Sequence, residues 1–90
     1  MNPNFTPVLN MMGYAYMEKG DLDNAGKKFQ EQIRRASGSA NPYDSMGDYY
    51  LEIDNKADAL RYFEQSAKMG LKASVSKADS LRNELNKENN

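Results

Sequence analysis

Apolar residues recur at helical spacing through five stretches of this chain. In the first, over about residues 7–19, Val8, Met11, Met12, Ala15 and Tyr16 follow a three-to-four-residue interval, and Thr6-Pro7 supplies a cap and a proline suited to the first helical position. Gly20-Asp21 predicts the stop, with a glycine for positive φ and an aspartate to accept N–H bonds from the next helix. A second helix is expected over about 22–36, with Asp23 near its start and Arg34-Arg35 near its end, the sense the helix dipole favours. Ser37 to Asn41 reads as a polar connection, and Asn41-Pro42 repeats the cap-then-proline signal, opening a third helix over about 42–53. Asp54-Asn55 then stands where Gly20-Asp21 stood and starts a fourth helix that reaches Met69 and stops at Gly70. A fifth, over about 75–87, carries Val75, Ala78, Leu81 and Leu85 on one face, with Lys77, Asp79, Arg82, Glu84 and Lys87 elsewhere on its circumference. The pattern predicts an all-α fold.

The first four helices form two copies of one unit. Met12-Gly13 returns 34 residues later as Met46-Gly47, Tyr16 as Tyr50, Glu18 as Glu52, Ala25 as Ala59 and Phe29 as Phe63. A period of that length marks stacked helical hairpins, an architecture that binds rather than catalyses. Glycine in mid-helix costs about 1 kcal/mol relative to alanine, so Gly13 and Gly47 point to close helix approach, with Tyr16, Tyr50, Phe29 and Phe63 filling the space and Ala25 and Ala59 keeping the facing surface shallow. Gly26 stands where the second copy has Leu60, which predicts looser packing in the first hairpin.

These residues resemble the tetratricopeptide repeat, whose signature runs from a Leu-like residue and Gly through Tyr, a turn and Ala to an aromatic. The first copy departs from it in having SGSAN (Ser37 to Asn41) where the family has a proline. The resemblance implies one domain over 1–90, an all-α right-handed superhelix of two antiparallel hairpins, at about 6–39 and 40–73, and a capping helix over about 74–88. The fifth helix, which lacks the Gly and Tyr of the repeat, takes the capping role with its apolar side on the last hairpin and its polar side to solvent.

The resemblance also implies which positions meet a ligand, because in that family the first helix of each hairpin lines a concave face. Carried onto this sequence, the positions are Asn10, Tyr14, Met17 and Glu18 in the first hairpin and Asp44, Asp48, Leu51 and Glu52 in the second. Asp44, Asp48 and Glu52 follow one another every four residues and so form an acidic stripe. Used as a site, the stripe would favour a peptide bearing Lys, Arg or a free amine, with Tyr14, Met17 and Leu51 in apolar contact; the competing reading is a solvated helix face. Family members that clamp chaperone C-terminal carboxylates use Lys and Arg at these positions, so that ligand is disfavoured here.

Composition narrows the chemistry further. Twelve Lys plus Arg against thirteen Asp plus Glu gives a formal net charge of -1, which gathers neither nucleic acid nor an anionic membrane. Histidine and cysteine are absent, removing the usual general base, the commonest zinc ligand and the Ser-His and Cys-His nucleophile pairs. The three carboxylates of the stripe lack the enclosing loop a hard cation needs. Lys27-Lys28 and Arg34-Arg35 read as solvated helix residues. No cofactor and no enzymatic activity are expected. No stretch approaches the length of a membrane span, so the chain reads as soluble.

One edge is left over. Phe5, Val8, Met11 and Ala15 form an apolar side of the first helix with no preceding helix to meet, which predicts either an attached upstream domain or a homodimer through that edge. The stretch from Ser39 to Gly70 is similar to the short repeat tails that follow the catalytic domains of bacterial serine hydrolases. That similarity implies an alternative to peptide capture, a structural accessory or dimerisation domain of a larger enzyme.

Overall fold

A computed structural model describes residues 6–36 and 38–88. Its helices are α1 (Thr6–Lys19), α2 (Leu22–Arg35), α3 (Ala40–Glu52), α4 (Lys56–Lys68) and α5 (Lys72–Glu88). α1 pairs with α2 and α3 with α4; α3 also lies against α2, and α5 against α4, in a stack extending 51 × 29 × 16 Å. The repeat array expected from the 34-residue period is present.

Both hairpins turn on the same backbone device. Gly20 takes φ 83° and Asp54 φ 62°, and in each turn that residue's N–H and the next one's reach back to the helix: Gly20 to Met17 O and Asp21 to Tyr16 O, Asp54 to Leu51 O and Asn55 to Tyr50 O. Asp21 and Asn55 then cap α2 and α4 by accepting from the N–H groups of Asn24 and Asp58. Gly70, at φ 103°, repeats the closure at the end of α4.

The repeated glycines are steric requirements. A Cβ on Gly13 would lie 2.4 Å from Phe29 Cε1, and one on Gly47 2.4 Å from Phe63 Cε1. Both rings are fully buried, Phe29 with Ala25 and Met46, Phe63 with Ala59, Ala78 and Leu81, so neither has room to retreat. Each hairpin is thus closed by a phenylalanine seated on the bare backbone of the opposite helix.

Gly26 differs from expectation. It is buried, and a Cβ there would meet the Tyr49 hydroxyl at 2.8 Å. Tyr49, on α3, fills the space, and its ring packs edge-on to Phe29 with centroids 6.2 Å apart. The volume supplied by Leu60 within the second hairpin is supplied to the first by its neighbour.

Three helix starts and one face also move. α3 begins at Ala40 with Ser39 at its cap, so Pro42 lies inside the first turn rather than at its start, where its missing N–H still has no helical partner to lose. α1 already includes Thr6, and Phe5, the position before it, lies outside the described residues, as does the cap of this helix. α5 begins three residues earlier than expected, at Lys72, and it turns Ser74, Ala78 and Leu81 inward, leaving Val75 46% exposed. Hydrogen bonding of the Ser74 hydroxyl, described below, is the physical reason for that rotation.

Replacing Gly47 by Ala forces a methyl into the buried Phe63 ring, so overpacking of about 1–3 kcal/mol exceeds the helix-propensity gain of about 1 kcal/mol. A thermal melt of Gly47→Ala should show a clear loss of stability, whereas Gly38→Ala, with nothing within 4 Å of the new Cβ, should melt close to the parent chain. Equal melting temperatures would contradict the seat.

Candidate interaction face

Successive first helices are joined on their inner sides by polar rungs. Ser45 Oγ donates to Asn10 Oδ1 at 2.5 Å, and the Tyr14 hydroxyl donates to Asp48 Oδ2 at 2.5 Å, both from α1 to α3. Between α3 and α5, Lys77 Nζ lies 2.9 Å from Asp44 Oδ2 and 3.3 Å from Asp48 Oδ1. Ser74 donates its single hydrogen to Asp44 Oδ1 at 2.7 Å. Ser66 Oγ is 2.7 Å from Ser74 Oγ and 2.9 Å from the Ala40 carbonyl, so its one hydrogen serves one of two acceptors at a time.

Side-chain electrostatics follow from this arrangement. Burial is the largest influence on the Tyr14 hydroxyl, and its hydrogen bond to anionic Asp48 adds to it; both hold the proton on and push its pKa well above 10.0. Burial acts to lower the Lys77 ammonium, but the hydrogen bond to Asp44 and the charges of Asp48 and Asp44 outweigh it, leaving a net rise above 10.5. Lys77 also lies over the Phe63 ring, 5.3 Å from its centroid.

The acidic stripe expected to be open is therefore divided. Asp44 and Asp48 are engaged from within the chain, with side chains 15% and 26% exposed. Glu52 is exposed, as is Glu18, and neither makes an ion pair with any described residue. Asn10, Tyr14, Met17, Glu18 and Glu52 come together, with Met11 and Ala15, around an open hollow of about 680 Å³. Leu51, 42% exposed, lines a different hollow, between α3 and α5, with Phe63, Lys77 and Leu81. Met17 is half-buried against the Ala25–Phe29–Met46 cluster, so part of its side chain belongs to the core. Of the apolar edge, Val8 is 51% and Met11 71% exposed and Ala15 is exposed; Phe5 lies outside the described residues.

Lys77 and Ser74 were missed in the sequence, as was the donor Ser45. Lys77 occupies the position of Ser45 once α5 is aligned by its start, since Ala40 to Lys72 spans 32 residues where Thr6 to Ala40 spans 34. The short Met69–Leu71 link was the available signal.

Among the described residues no helix is long and apolar enough to cross a membrane, and no three acidic side chains converge as metal ligands would. Residues 6–37 match a family model described as tetratricopeptide repeat. No curated protein matches the chain at a significant level.

The raised Tyr14 and Lys77 groups make one prediction together. At a pH above the unfolded values of 10.0 and 10.5 the unfolded chain releases protons that the native chain retains, so stability is level below about pH 9 and falls as pH rises beyond 10. Tyr14→Phe should cost about 1 kcal/mol at pH 7, a shift of about 4–8 °C in melting temperature, and should flatten the alkaline limb. A limb of unchanged slope in the variant would contradict the Tyr14–Asp48 bond.

Proposed function

Because the chain is a tetratricopeptide-repeat protein, and repeats of that family generally mediate protein–protein interaction, we propose that it is a non-catalytic module capturing a peptide or protein segment on the inner faces of α1 and α3. The observation that carries the reading is the hollow lined by Met11, Tyr14, Ala15 and Met17 with the uncompensated carboxylates of Glu18 and Glu52 beside it. An apolar side chain of the segment rests on Met17 and Tyr14, and a Lys, Arg or free amine is drawn to the two glutamates. Asn10 contributes an amide within the same hollow. Across the inner face four carboxylates, Glu18, Asp44, Asp48 and Glu52, oppose one ammonium, Lys77, so a basic segment is favoured over an acidic one. Two hairpins offer less area than a standard protein interface, which sets the expected affinity at roughly micromolar.

A second reading, a structural accessory or dimerisation domain, is supported by a separate observation. Val8 and Met11 are exposed on the side of α1 that corresponds, 34 residues on, to Pro42 and Ser45, both buried in α3. Opposite its buried residues α5 carries Ser76, Ser80 and Asn83, all exposed, so among the described residues that end of the stack is more polar than the α1 end. Such asymmetry suits a closed pair joined at α1 and disfavours open head-to-tail stacking.

Selection of a random decapeptide phage library on the immobilised chain should enrich peptides with an apolar residue and one cationic residue, and their binding should weaken with added salt. The Glu18→Gln, Glu52→Gln double variant should bind those peptides about five- to tenfold more weakly; undiminished binding would refute the charge role of the glutamates. Light scattering across a dilution series separates the second reading, with a persistent dimer lost in Met11→Glu as its expected result and a monomer at all concentrations as its refutation.

A further inference from the structure

Lys77 does on α5 what Ser45 does on α3, donating to the residue three before the seat glycine of the preceding first helix or its repeat equivalent: Ser45 to Asn10, Lys77 to Asp44. The first of these rungs is neutral. The second brings a full positive charge into the stripe, held over the Phe63 ring and shared between two carboxylates that are themselves mostly covered. A ligand cation approaching Asp44 or Asp48 meets an ammonium already in place. Glu18 and Glu52, toward the C-terminal ends of α1 and α3, have none among the described residues.

We propose that Lys77 sets the charge selectivity of the inner face: as an occupant built into the chain it takes Asp44 and Asp48 for itself, so that a captured segment places its cation at Glu18 and Glu52 and uncharged residues beside α5. The inference rests on the groove reading above, and it assigns that groove a polarity. One end reads a positive charge, and the other reads none because the chain supplies its own. Lys77 also helps to hold α5 down, so its selective role needs a readout that a merely structural role leaves unmoved.

The decapeptide selection supplies it when repeated on Lys77→Met, which keeps an unbranched apolar stem over Phe63 without the charge, and on Lys77→Arg, which restores the charge. Both are first verified as folded by circular dichroism. The parent chain and Lys77→Arg should enrich one cationic position. Lys77→Met should enrich a second, and its peptides should bind it about tenfold more tightly than they bind the parent, a gain abolished by adding Asp48→Asn. If Lys77→Met melts below the assay temperature, Lys77→Gln, which retains an amide donor while losing the charge, takes its place. An unchanged single cationic position in the uncharged variant would overturn the role of Lys77 and leave the groove reading intact. Failure of all the folded chains to enrich any peptide would instead overturn the groove reading, and this inference with it.

Discussion

The seating of a phenylalanine on a helical glycine is the constraint from which the remaining geometry descends. With a Cβ excluded at Gly13 and Gly47 by rings that would stand 2.4 Å away, each hairpin closes to the distance a bare backbone permits, and the rotation of α1 and α3 about their axes is fixed by which residue faces the ring. The residue after each glycine is then carried to the inner side: Tyr14 follows Gly13, Asp48 follows Gly47, and the two meet in one hydrogen bond. Asn10 and Asp44, each three residues before the glycine, lie one turn away on the same side and accept from Ser45 and Lys77. A core contact thus dictates a polar surface, because a helix cannot turn one face inward without choosing the opposite one.

The repeated part of this architecture was legible in the sequence for the same reason. A fully buried ring on a glycine tolerates few substitutions, so the pair appears twice at fixed spacing, and the turns repeat because Gly20 and Asp54 must both take positive φ. The positions of Tyr14 and Asp48 followed from the register, but their bond did not. It joins two copies, and no periodicity within one copy encodes which polar residues meet across the boundary. Tyr49 over Gly26 is another crossing of this kind: a cavity in one hairpin is filled from the next, so the local reading of Gly26 as a loose point lacked its partner.

α5 was less legible because its alignment with the repeat is broken. α4 is one residue shorter than α2, and the link 69–71 is one residue shorter than 36–39, so α5 arrives two residues early. The packing roles of Pro42, Met46 and Tyr49 pass to Ser74, Ala78 and Leu81. Periodicity alone placed Val75 on the apolar face. The buried position went to Ser74 because its hydroxyl finds Asp44 and Ser66, and a satisfied hydroxyl is admitted to a site from which an unsatisfied one would be expelled.

That slip joins packing to surface charge. Were α5 in strict register with α3, residue 79 rather than 77 would take the place of Ser45, bringing the carboxylate of Asp79 toward Asp44 and adding like charge to an acidic strip. The two-residue advance brings an ammonium instead. Ala78 and Leu81 cover Phe63 in the same register that delivers Lys77 to Asp44 and Asp48, so the apolar cover and the charge compensation cannot be adjusted independently. The ion pair itself is partly exposed and contributes on the order of 1 kcal/mol or less to folding. Its larger consequence is electrostatic: two charges of the inner face are compensated internally, while Glu18 and Glu52 are exposed and make no ion pair with any described residue.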